Sequence, residues 1–401
     1  MRAALAARVR AIIASQDTHP KPVASEDTHP KPDDASSASS ASGDTQPVMF
    51  TTEPDPSEDT HLSPLLLDLA AFQAQHVDPY ARLCEPQPGR SQPLDWAPAL
   101  PTDVFRYTRV AAHPASEDTH SFRTSGTSSG ARGTHPFRDL TLYDAAAHVH
   151  ARRMLFPDVP RIPLVMLAAH PDDAPESSLS YMLGRFETWF GAGPATWCLR
   201  HDALDLGALT TSLTTAQQRG TPVALLGTSF AFVFAEDGLT QRFALPPGSR
   251  IMQTGGYKGR TREIEPAVLR QMLSARYAIP EDFIVAEYGM TELSSQLYEA
   301  SLRDRLMGHP SPRRHLVPPA WVRATPVDPE TLAPLPPGRV GVLRIDDAAN
   351  LDSVAAILTS DLAASAPDGS RGIELHGRAT GAALRGCSLA IEEALSARAR
   401  D

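Results

Sequence analysis

Strand-length runs of uniformly apolar residues alternate with helical patterns through the middle of the chain. A strand with apolar side chains at successive positions is buried on both faces, which is typical of a parallel sheet covered by helices. The predicted strands are Ile162–Ala168, Thr196–Leu199, Pro222–Leu226, Arg250–Thr254 and Phe283–Glu287. The predicted helices between them are Ser178–Phe190, Ala203–Arg219 and Pro266–Tyr277. This alternation predicts an α/β fold.

The rest of the chain is organised around this α/β part. Residues 1–61 are predicted to be a disordered low-complexity segment, because Pro, Ser, Asp and Thr dominate from Gln16 to Ser57. The globular domain, residues 62–376, begins with a helical pattern and ends in a smaller β-rich part. The strands predicted there are Val340–Ile345, Ser353–Leu358 and Gly372–Leu375. Residues 377–401 are predicted to be a short C-terminal remnant that carries Cys387.

A five-residue unit, Ser-Glu-Asp-Thr-His, recurs in the N-terminal third of the chain. Its copies are Ser25–His29, Ser57–His61 and Ser116–His120, with a near copy at Ser15–His19. The copies are too short and too far apart to be the units of a solenoid. A histidine-bearing repeat is also compatible with metal binding. We interpret the repeat as a low-complexity insertion, whose third copy, beside the loop, can be tolerated if it bulges into solvent.

Composition and charge exclude several classes of protein. A chain of 401 residues that is 42% hydrophobic can bury a substantial core, and its formal net charge of -10 argues against a nucleic-acid partner. Three scattered cysteines, Cys84, Cys198 and Cys387, indicate neither a disulfide framework nor a zinc site. Arg8 and Arg10 interrupt the Ala-rich start, so a signal-peptide core is not expected. We predict a cytoplasmic protein without an integral membrane segment.

The segment Thr124–Gly133 contains five hydroxyl residues, three glycines and one arginine, and it lies between an extended pattern and a helical one. Glycines allow backbone N–H groups to approach an anion closely, hydroxyls donate further hydrogen bonds, and Arg132 supplies a fixed positive charge. The spacing matches neither the Walker pattern nor the dinucleotide pattern. The segment therefore reads as a polyphosphate-binding loop or as a flexible Ser/Gly linker.

Two later motifs follow predicted strands directly. Gln253–Arg260 contains Gly255 and Gly256, on which a flat adenine ring could rest, with Lys258 close by for negative charge. The alternative for this motif is a tight β–α turn. Tyr288–Glu292 offers an aromatic face, a hydroxyl and a carboxylate, of which the carboxylate suits Mg²⁺. The alternative for Glu292 is a helix-opening acid.

Three more candidates lie near the C-terminus. Asp361 follows a predicted strand, where its carboxylate could accept both hydroxyls of a ribose. Arg378 follows Gly377, and Cys387 comes two residues after Arg385. A neighbouring cation lowers the pKa of a thiol and so increases its thiolate fraction, which favours a nucleophilic Cys387 over a buried inert one. Cys84 and Cys198 have apolar surroundings and are the better core candidates.

In this order the motifs resemble those of the acyl-adenylate-forming superfamily. Its pattern is a Ser/Thr/Gly phosphate loop, a Tyr-Gly-x-Thr-Glu segment, a ribose-binding Asp and a Gly-Arg hinge. The closer resemblance is to the acyl-protein synthetase (LuxE) family, known from the fatty-acid reductase of bacterial bioluminescence. The segments that carry this resemblance are Phe72–Tyr80, Leu100–Phe105, Gly255–Lys258, Tyr288–Gln296 and Arg385–Leu389.

The resemblance implies a large adenylate-forming domain with parallel sheets covered by helices. It also implies that the mobile C-terminal domain of the superfamily is reduced or absent, because only 14 residues follow Cys387. The residues predicted to bind the nucleotide are Thr124, Ser125, Gly126, Thr127, Ser128, Gly130, Arg132, Gly255, Gly256, Tyr288, Gly289, Asp361 and Arg378. Those predicted to be catalytic are Lys258, Thr291, Glu292 and Cys387, with Glu292 as the metal ligand.

The reaction implied by the resemblance uses ATP and Mg²⁺. A carboxylic acid, in this family a fatty acid, becomes an acyl-adenylate, and Cys387 then captures the acyl group as a thioester for an acyl-reductase or carrier-protein acceptor. One alternative is a ligase of the same superfamily that uses coenzyme A, a carrier-protein thiol or an amine as the acceptor. The other is a non-catalytic nucleotide-binding protein that keeps the fold.

Overall fold

A computed structural model describes residues 1–17, 56–85, 96–124, 132–200, 203–255, 264–309, 314–379 and 395. The α-helices within these ranges are α1 (Arg2–Ser15), α2 (Pro56–Ala74), α3 (Asp78–Cys84), α4 (Thr141–Met154), α5 (Ser178–Phe190), α6 (Leu206–Arg219), α7 (Ser229–Gly238), α8 (Pro266–Tyr277) and α9 (Ser301–Leu306). A 3₁₀ helix, Thr102–Arg106, precedes the loop at Thr124.

The strands form one large sheet and one hairpin. They are β1 (Leu100–Pro101), β2 (His120–Arg123), β3 (Thr134–Phe137), β4 (Leu164–Ala169), β5 (Thr196–Arg200), β6 (Ala203–Leu204), β7 (Ala224–Thr228), β8 (Arg250–Thr254), β9 (Ile284–Tyr288), β10 (Leu297–Glu299), β11 (Leu316–Val317), β12 (Val322–Val327), β13 (Gly341–Asp347), β14 (Ala356–Ser365) and β15 (Ile373–Arg378). Strands β2 and β3 pair with each other as the hairpin.

The predicted parallel sheet is confirmed. Strands β9, β8, β7, β4 and β5 are neighbours in that order and pair in parallel. The predicted β-rich end is also confirmed: β12, β13, β14 and β15 form an antiparallel meander. Strands β10 and β11 connect the two parts, so they form one continuous sheet.

Alternate side chains of the parallel strands enter two different cores. Met166, Leu226 and Met252 face one hydrophobic cluster, which includes Phe186 of α5. The residues next to them in the chain, such as Leu225 and Ile251, face the other cluster. Both faces of the sheet are therefore covered, as the uniformly apolar runs predict.

The helix boundaries follow local sequence signals. Helix α6 begins after Asp205, whose side chain accepts a hydrogen bond from the backbone N–H of Ala208 at 2.8 Å. The same helix ends at Gly220, which has a left-handed φ of 64°. Helix α8 begins with Pro266 after the side-chain cap of Glu265. Side-chain caps and a terminal glycine are the expected start and stop signals.

The structure differs from the prediction of a disordered segment over residues 1–61. Arg2–Ser15 forms α1, whose Leu5, Val9 and Ile13 are buried in a core cluster with residues of α2 and α4. The spacing of four residues places these side chains on one face of the helix. Because alanine and arginine residues surround these three side chains, the apolar face of the helix is difficult to recognise in the sequence. Residues 18–55 lie outside the described ranges.

The third copy of the repeat lies at the surface of the fold, where Ser116, Glu117 and Thr119 are exposed, and it is anchored there by Asp118. Both carboxylate oxygens of Asp118 accept hydrogen bonds from Arg109, and one of them also contacts His113. His120 begins β2. The segment after the loop is corrected: a strand, Thr134–Phe137, follows it instead of a helix. Aromatic packing of Phe137 against Phe122 stabilises this hairpin.

Candidate functional site

The carboxyl ends of β8 and β9 carry a buried polar pair. Thr254 and Glu287 are opposite each other in the parallel pair, and the hydroxyl of Thr254 donates to Oε2 of Glu287. Glu287 is 7% exposed, and burial raises the pKa of its carboxyl to about 7. A side chain at Gly289 would clash with this carboxylate, because an added Cβ would lie 2.5 Å from Oε1. A side chain at position 289 would therefore require the Glu287 carboxylate to move away from Thr254.

Gly255 follows Thr254 in a conformation that suits glycine. Its φ is 69°, in the left-handed region. The hydroxyl of Ser229, the first residue of α7, lies 2.9 Å from the carbonyl oxygen of Gly255 and 3.0 Å from the side-chain oxygen of Gln253. The start of α7 thus holds the turn that leaves β8.

Tyr288, Asp361 and Arg378 form one cluster, although they come from three different strands. The hydroxyl of Tyr288 donates to Oδ2 of Asp361 at 2.8 Å. Nε of Arg378 donates to Oδ1 of the same carboxylate at 3.3 Å. Asp361 and Arg378 are partners in the β14–β15 pair, and the Arg378 side chain is 74% exposed. The cluster therefore opens to solvent through Arg378.

Glu292 lies in the irregular segment that follows β9. It is 6% exposed, and burial raises the pKa of its carboxyl to about 7. The charges of Arg106 and Arg378 oppose this rise in pKa. The backbone carbonyl of Glu292 accepts a hydrogen bond from Nδ2 of Asn350 at 2.8 Å. Glu292 is not the opening acid of a helix, because β10 follows this segment.

The hairpin of β2 and β3 closes the base of the Ser/Thr/Gly loop. The backbone N–H of Thr124 donates to the carbonyl of Gly133, and the N–H of Gly133 donates to the Thr124 hydroxyl at 2.8 Å. Arg132 is engaged by protein groups: its Nε donates to the carbonyl of Thr124 at 2.6 Å and its Nη1 to Glu176 at 3.2 Å. The other carboxylate oxygen of Glu176 accepts from Arg123.

His135 joins this hairpin to the segment that carries Glu292. Its Nδ1 lies 2.7 Å from the carbonyl oxygen of Thr291. The side chain is buried at 1% exposure, and burial lowers its pKa to about 4. Through this bond the structure brings the loop base and Thr291 together.

Several predicted site residues lie outside the described ranges, and their assignment stays a prediction. They are Ser125, Gly126, Thr127, Ser128, Gly130, Gly256, Lys258 and Cys387.

Of the other cysteines, Cys198 is buried in β5, and burial raises the pKa of its thiol to about 12. Cys84 is half-buried at the end of α3. The buried environment of Cys198 does not favour a thiolate.

Two residues of this region are not predicted from the sequence. Glu287 ends an otherwise apolar strand, and a charged residue in such a run is the signal that could identify it. His135 gives no comparable signal, because its partner Thr291 is 156 residues away.

Within the described ranges, His, Cys, Asp and Glu side chains do not gather in threes to form a metal site. Nor does any helix there combine the length and apolarity needed to cross a bilayer.

Comparisons with known proteins bear on both family and fold. The family model described as acyl-protein synthetase, LuxE, matches residues 65–396. A long-chain-fatty-acid–luciferin-component ligase of Aliivibrio fischeri is 24% identical over 324 residues, which cover 77% of this chain and 81% of that one. The ligase of the same name from Vibrio harveyi is 22% identical and covers 76% of this chain and 80% of its own.

A crystal structure of 2-hydroxyisobutyryl-CoA ligase in complex with 2-HIB-AMP and CoA has a similar fold. The TM-score is 0.56 at 16% identity, and the match covers 82% of this chain and 69% of that one. An open conformation of the same ligase gives a TM-score of 0.54 at 15% identity, covering 82% and 76%. The adenylate-forming α/β fold predicted from the motifs is therefore confirmed.

Proposed function

The chain belongs to the acyl-protein synthetase (LuxE) family, a family of ligases, and we propose that it activates a fatty acid with ATP and passes the acyl group to a protein thiol. The fatty acid as substrate is suggested by the names of the two bacterial relatives. The observation that carries the proposal is the bonded cluster of Tyr288, Asp361 and Arg378 beside buried Glu292.

This arrangement suits a nucleoside triphosphate. The carboxylate of Asp361 can accept the hydroxyls of a ribose, and Tyr288 fixes that carboxylate and offers an aromatic face. The loop between β2 and β3 and the exposed guanidinium of Arg378 supply donors for the phosphates. Tyr288 lies at the carboxyl end of β9, where parallel sheets bind ligands, and Asp361 and Arg378 come from the neighbouring strands β14 and β15 of the antiparallel part.

The residues present fit a magnesium ion. Mg²⁺ is held in proteins by one or two carboxylates together with substrate phosphates and water. Glu292 is a single buried carboxylate whose pKa is raised by burial, and a divalent cation beside it would favour the ionised form. The ion would supply charge stabilisation at the α-phosphate as the acid attacks. Thr291 and the loop orient the triphosphate, and the acid carboxylate displaces pyrophosphate to form the acyl-adenylate.

Cys387 is the proposed acceptor of the acyl group. Its sulfur attacks the acyl carbonyl, the new C–S bond forms, and the bond from that carbon to the phosphate oxygen breaks. AMP leaves with the electron pair, and the thiol proton is lost to solvent. The product is a thioester, which an acyl-reductase or a carrier protein can take up.

A pyrophosphate-exchange assay with a panel of acids tests the first step. Radiolabelled pyrophosphate is expected to enter ATP only when a suitable acid and Mg²⁺ are present, with fatty acids preferred over short or aromatic acids. Glu292→Gln is expected to lower this exchange by about 100-fold or more, because the metal loses its protein ligand. Exchange that fails with every acid, or that needs no acid, would contradict the proposal.

Labelling with a radioactive acid tests the second step. Wild-type protein incubated with ATP, Mg²⁺ and the acid is expected to carry label that neutral hydroxylamine releases, as thioesters do. Cys387→Ala is expected to abolish the label and to leave pyrophosphate exchange intact, and Cys84→Ala is the matched control that keeps both. Label that persists in Cys387→Ala would contradict acyl transfer to Cys387. Product analysis with coenzyme A, a carrier protein and an amine then distinguishes the other acceptors.

A further inference from the structure

We propose that His135 is a positioning residue, which holds the Thr291–Glu292 segment against the base of the Ser/Thr/Gly loop through its hydrogen bond to the Thr291 carbonyl. The inference rests on the proposed function, since it concerns how the metal ligand and the phosphate loop are kept in register. His135 itself contacts neither reacting group in this account.

The hydrogen bond has a defined direction. A carbonyl oxygen only accepts, so Nδ1 of His135 carries the proton and donates it across 2.7 Å to the oxygen of Thr291. The ring is fixed by its neighbours. Phe137 lies against it with the ring centroids 4.2 Å apart, and Phe105 meets it edge-on at 5.7 Å. A buried side chain held in this way gives its partner one position.

Each end of the connection is tied to the site. On one side, Gly133 and Thr124 are joined by two hydrogen bonds at the loop base, and His135 lies two residues after Gly133, in β3. On the other side, the carbonyl of Thr291 is held by His135 and that of Glu292 by Asn350. Two side chains thus fix consecutive carbonyls at the proposed metal ligand.

Partners of this kind usually matter for metal affinity. Groups that orient a metal ligand without touching the metal typically change affinity or activity by about 10- to 100-fold when they are removed. Loss of the His135 bond would free the Thr291 carbonyl and let the Glu292 carboxylate shift relative to the loop. Affinity for the acid would not change by this route.

The test compares His135→Leu with His135→Asn, whose side-chain amide can donate from the position of Nδ1. His150→Leu is the matched control, because His150 is also 1% exposed and bonds a backbone carbonyl, that of Val317, at 3.1 Å. Two measurements are made on each protein: the thermal shift produced by ATP as Mg²⁺ is titrated, and pyrophosphate exchange at varied acid.

We expect His135→Leu to raise the half-saturating Mg²⁺ by about 10-fold or more in both measurements and to leave KM for the acid within about twofold. His135→Asn should recover most of the loss. His150→Leu should lower Tm and leave the half-saturating Mg²⁺ unchanged. If His135→Leu does not fold, His135→Gln is compared with His135→Asn in its place. The side chain of Gln is one methylene longer than that of Asn, so its amide lies further from the position of Nδ1.

Two outcomes would overturn the inference. One is an unchanged Mg²⁺ dependence in His135→Leu, and the other is the same pattern in the His135 and His150 variants, which would mean a purely structural role. Failure of the proposed function is recognised separately. In that case the wild type itself gains no stability from ATP and Mg²⁺ and catalyses no exchange, and both proposals are wrong.

Discussion

At the scale of single residues, the region around β9 concentrates buried carboxylates. Burial raises the pKa of Glu287 and Glu292 to about 7 and that of Asp347 to about 6. Asp347 is satisfied by the Ser295 hydroxyl and by the backbone N–H groups of Ser294 and Ala349. Such groups make the stability of the fold depend on pH.

Glu287→Gln is expected to remove part of that dependence. The folded protein holds the Glu287 proton up to a pKa of about 7, whereas the unfolded chain releases it near 4.5. The free energy of unfolding of the wild type therefore falls as pH rises through this window, by about 3 kcal/mol from this residue. Urea unfolding at several pH values should show that the free energy of unfolding of the variant increases relative to that of the wild type as the pH rises to about 7. A difference in unfolding free energy between the two proteins that stays constant with pH would contradict a raised pKa for Glu287.

The Tyr288–Asp361 bond predicts a graded effect on nucleotide affinity. Asp361→Asn should raise KM for ATP by about 10- to 100-fold, because charge-assisted hydrogen bonds contribute about 1.5–3 kcal/mol. Tyr288→Phe should raise it less, since Arg378 still contacts the carboxylate. Steady-state exchange kinetics measure both. Asp172→Asn, at a side chain that is 90% exposed, is the control and should match the wild type.

At the scale of secondary-structure elements, predictions from the sequence are most accurate where one local pattern decides. Helices α5 and α8 and strand β8 have the predicted boundaries. An amphipathic face defines α5, a proline start defines α8, and β8 is a short segment around the apolar pair Ile251 and Met252. The hairpin after the loop is different. Pro136 lies within β3, where a proline argues against a strand, and cross-strand aromatic contacts override that preference.

Helix α1 is predicted to stabilise the domain, although it precedes the segment that the family model matches. Leu5→Ala should lower the free energy of unfolding by about 2–4 kcal/mol, because Leu5 is 3% exposed and its loss leaves a cavity. Arg10→Ala, at an exposed position of the same helix, should change it by no more than about 0.5 kcal/mol. Chemical denaturation measures both. Equal effects of the two substitutions would show that α1 does not pack as described.

At the scale of the whole molecule, the sheet curves so that distant strands meet. Three strands lie between β9 and β14 in the sheet order, which corresponds to about 19 Å across a flat sheet at roughly 4.8 Å a strand. Yet Tyr288 on β9 bonds Asp361 on β14 at 2.8 Å. The sequence predicts both residues from their places after strands, but it does not predict this curvature. Pairing over such distances is decided by packing of the whole sheet.

The curvature predicts how ATP protects the fold. Because the proposed site takes residues from both parts of the sheet, ATP with Mg²⁺ should slow amide exchange at the end of β9 and in β14 together. Hydrogen exchange followed by mass spectrometry measures this, with β6 at the far edge of the sheet as the internal control. Protection of one part alone would mean that the nucleotide does not bridge them.

The carboxylate of Glu176 lies between two guanidinium groups, those of Arg123 and Arg132. An anion that reaches Arg132 must therefore displace a negative charge that is already bound there, so its arrival is an ion exchange. A weakly charged anion would gain little electrostatic free energy by replacing Glu176 at Arg132. A triphosphate carries enough charge to displace a single carboxylate. Glu176 would keep Arg123 as its counterion after the swap. In the proposed function the loop would therefore favour a highly charged ligand over a weakly charged one.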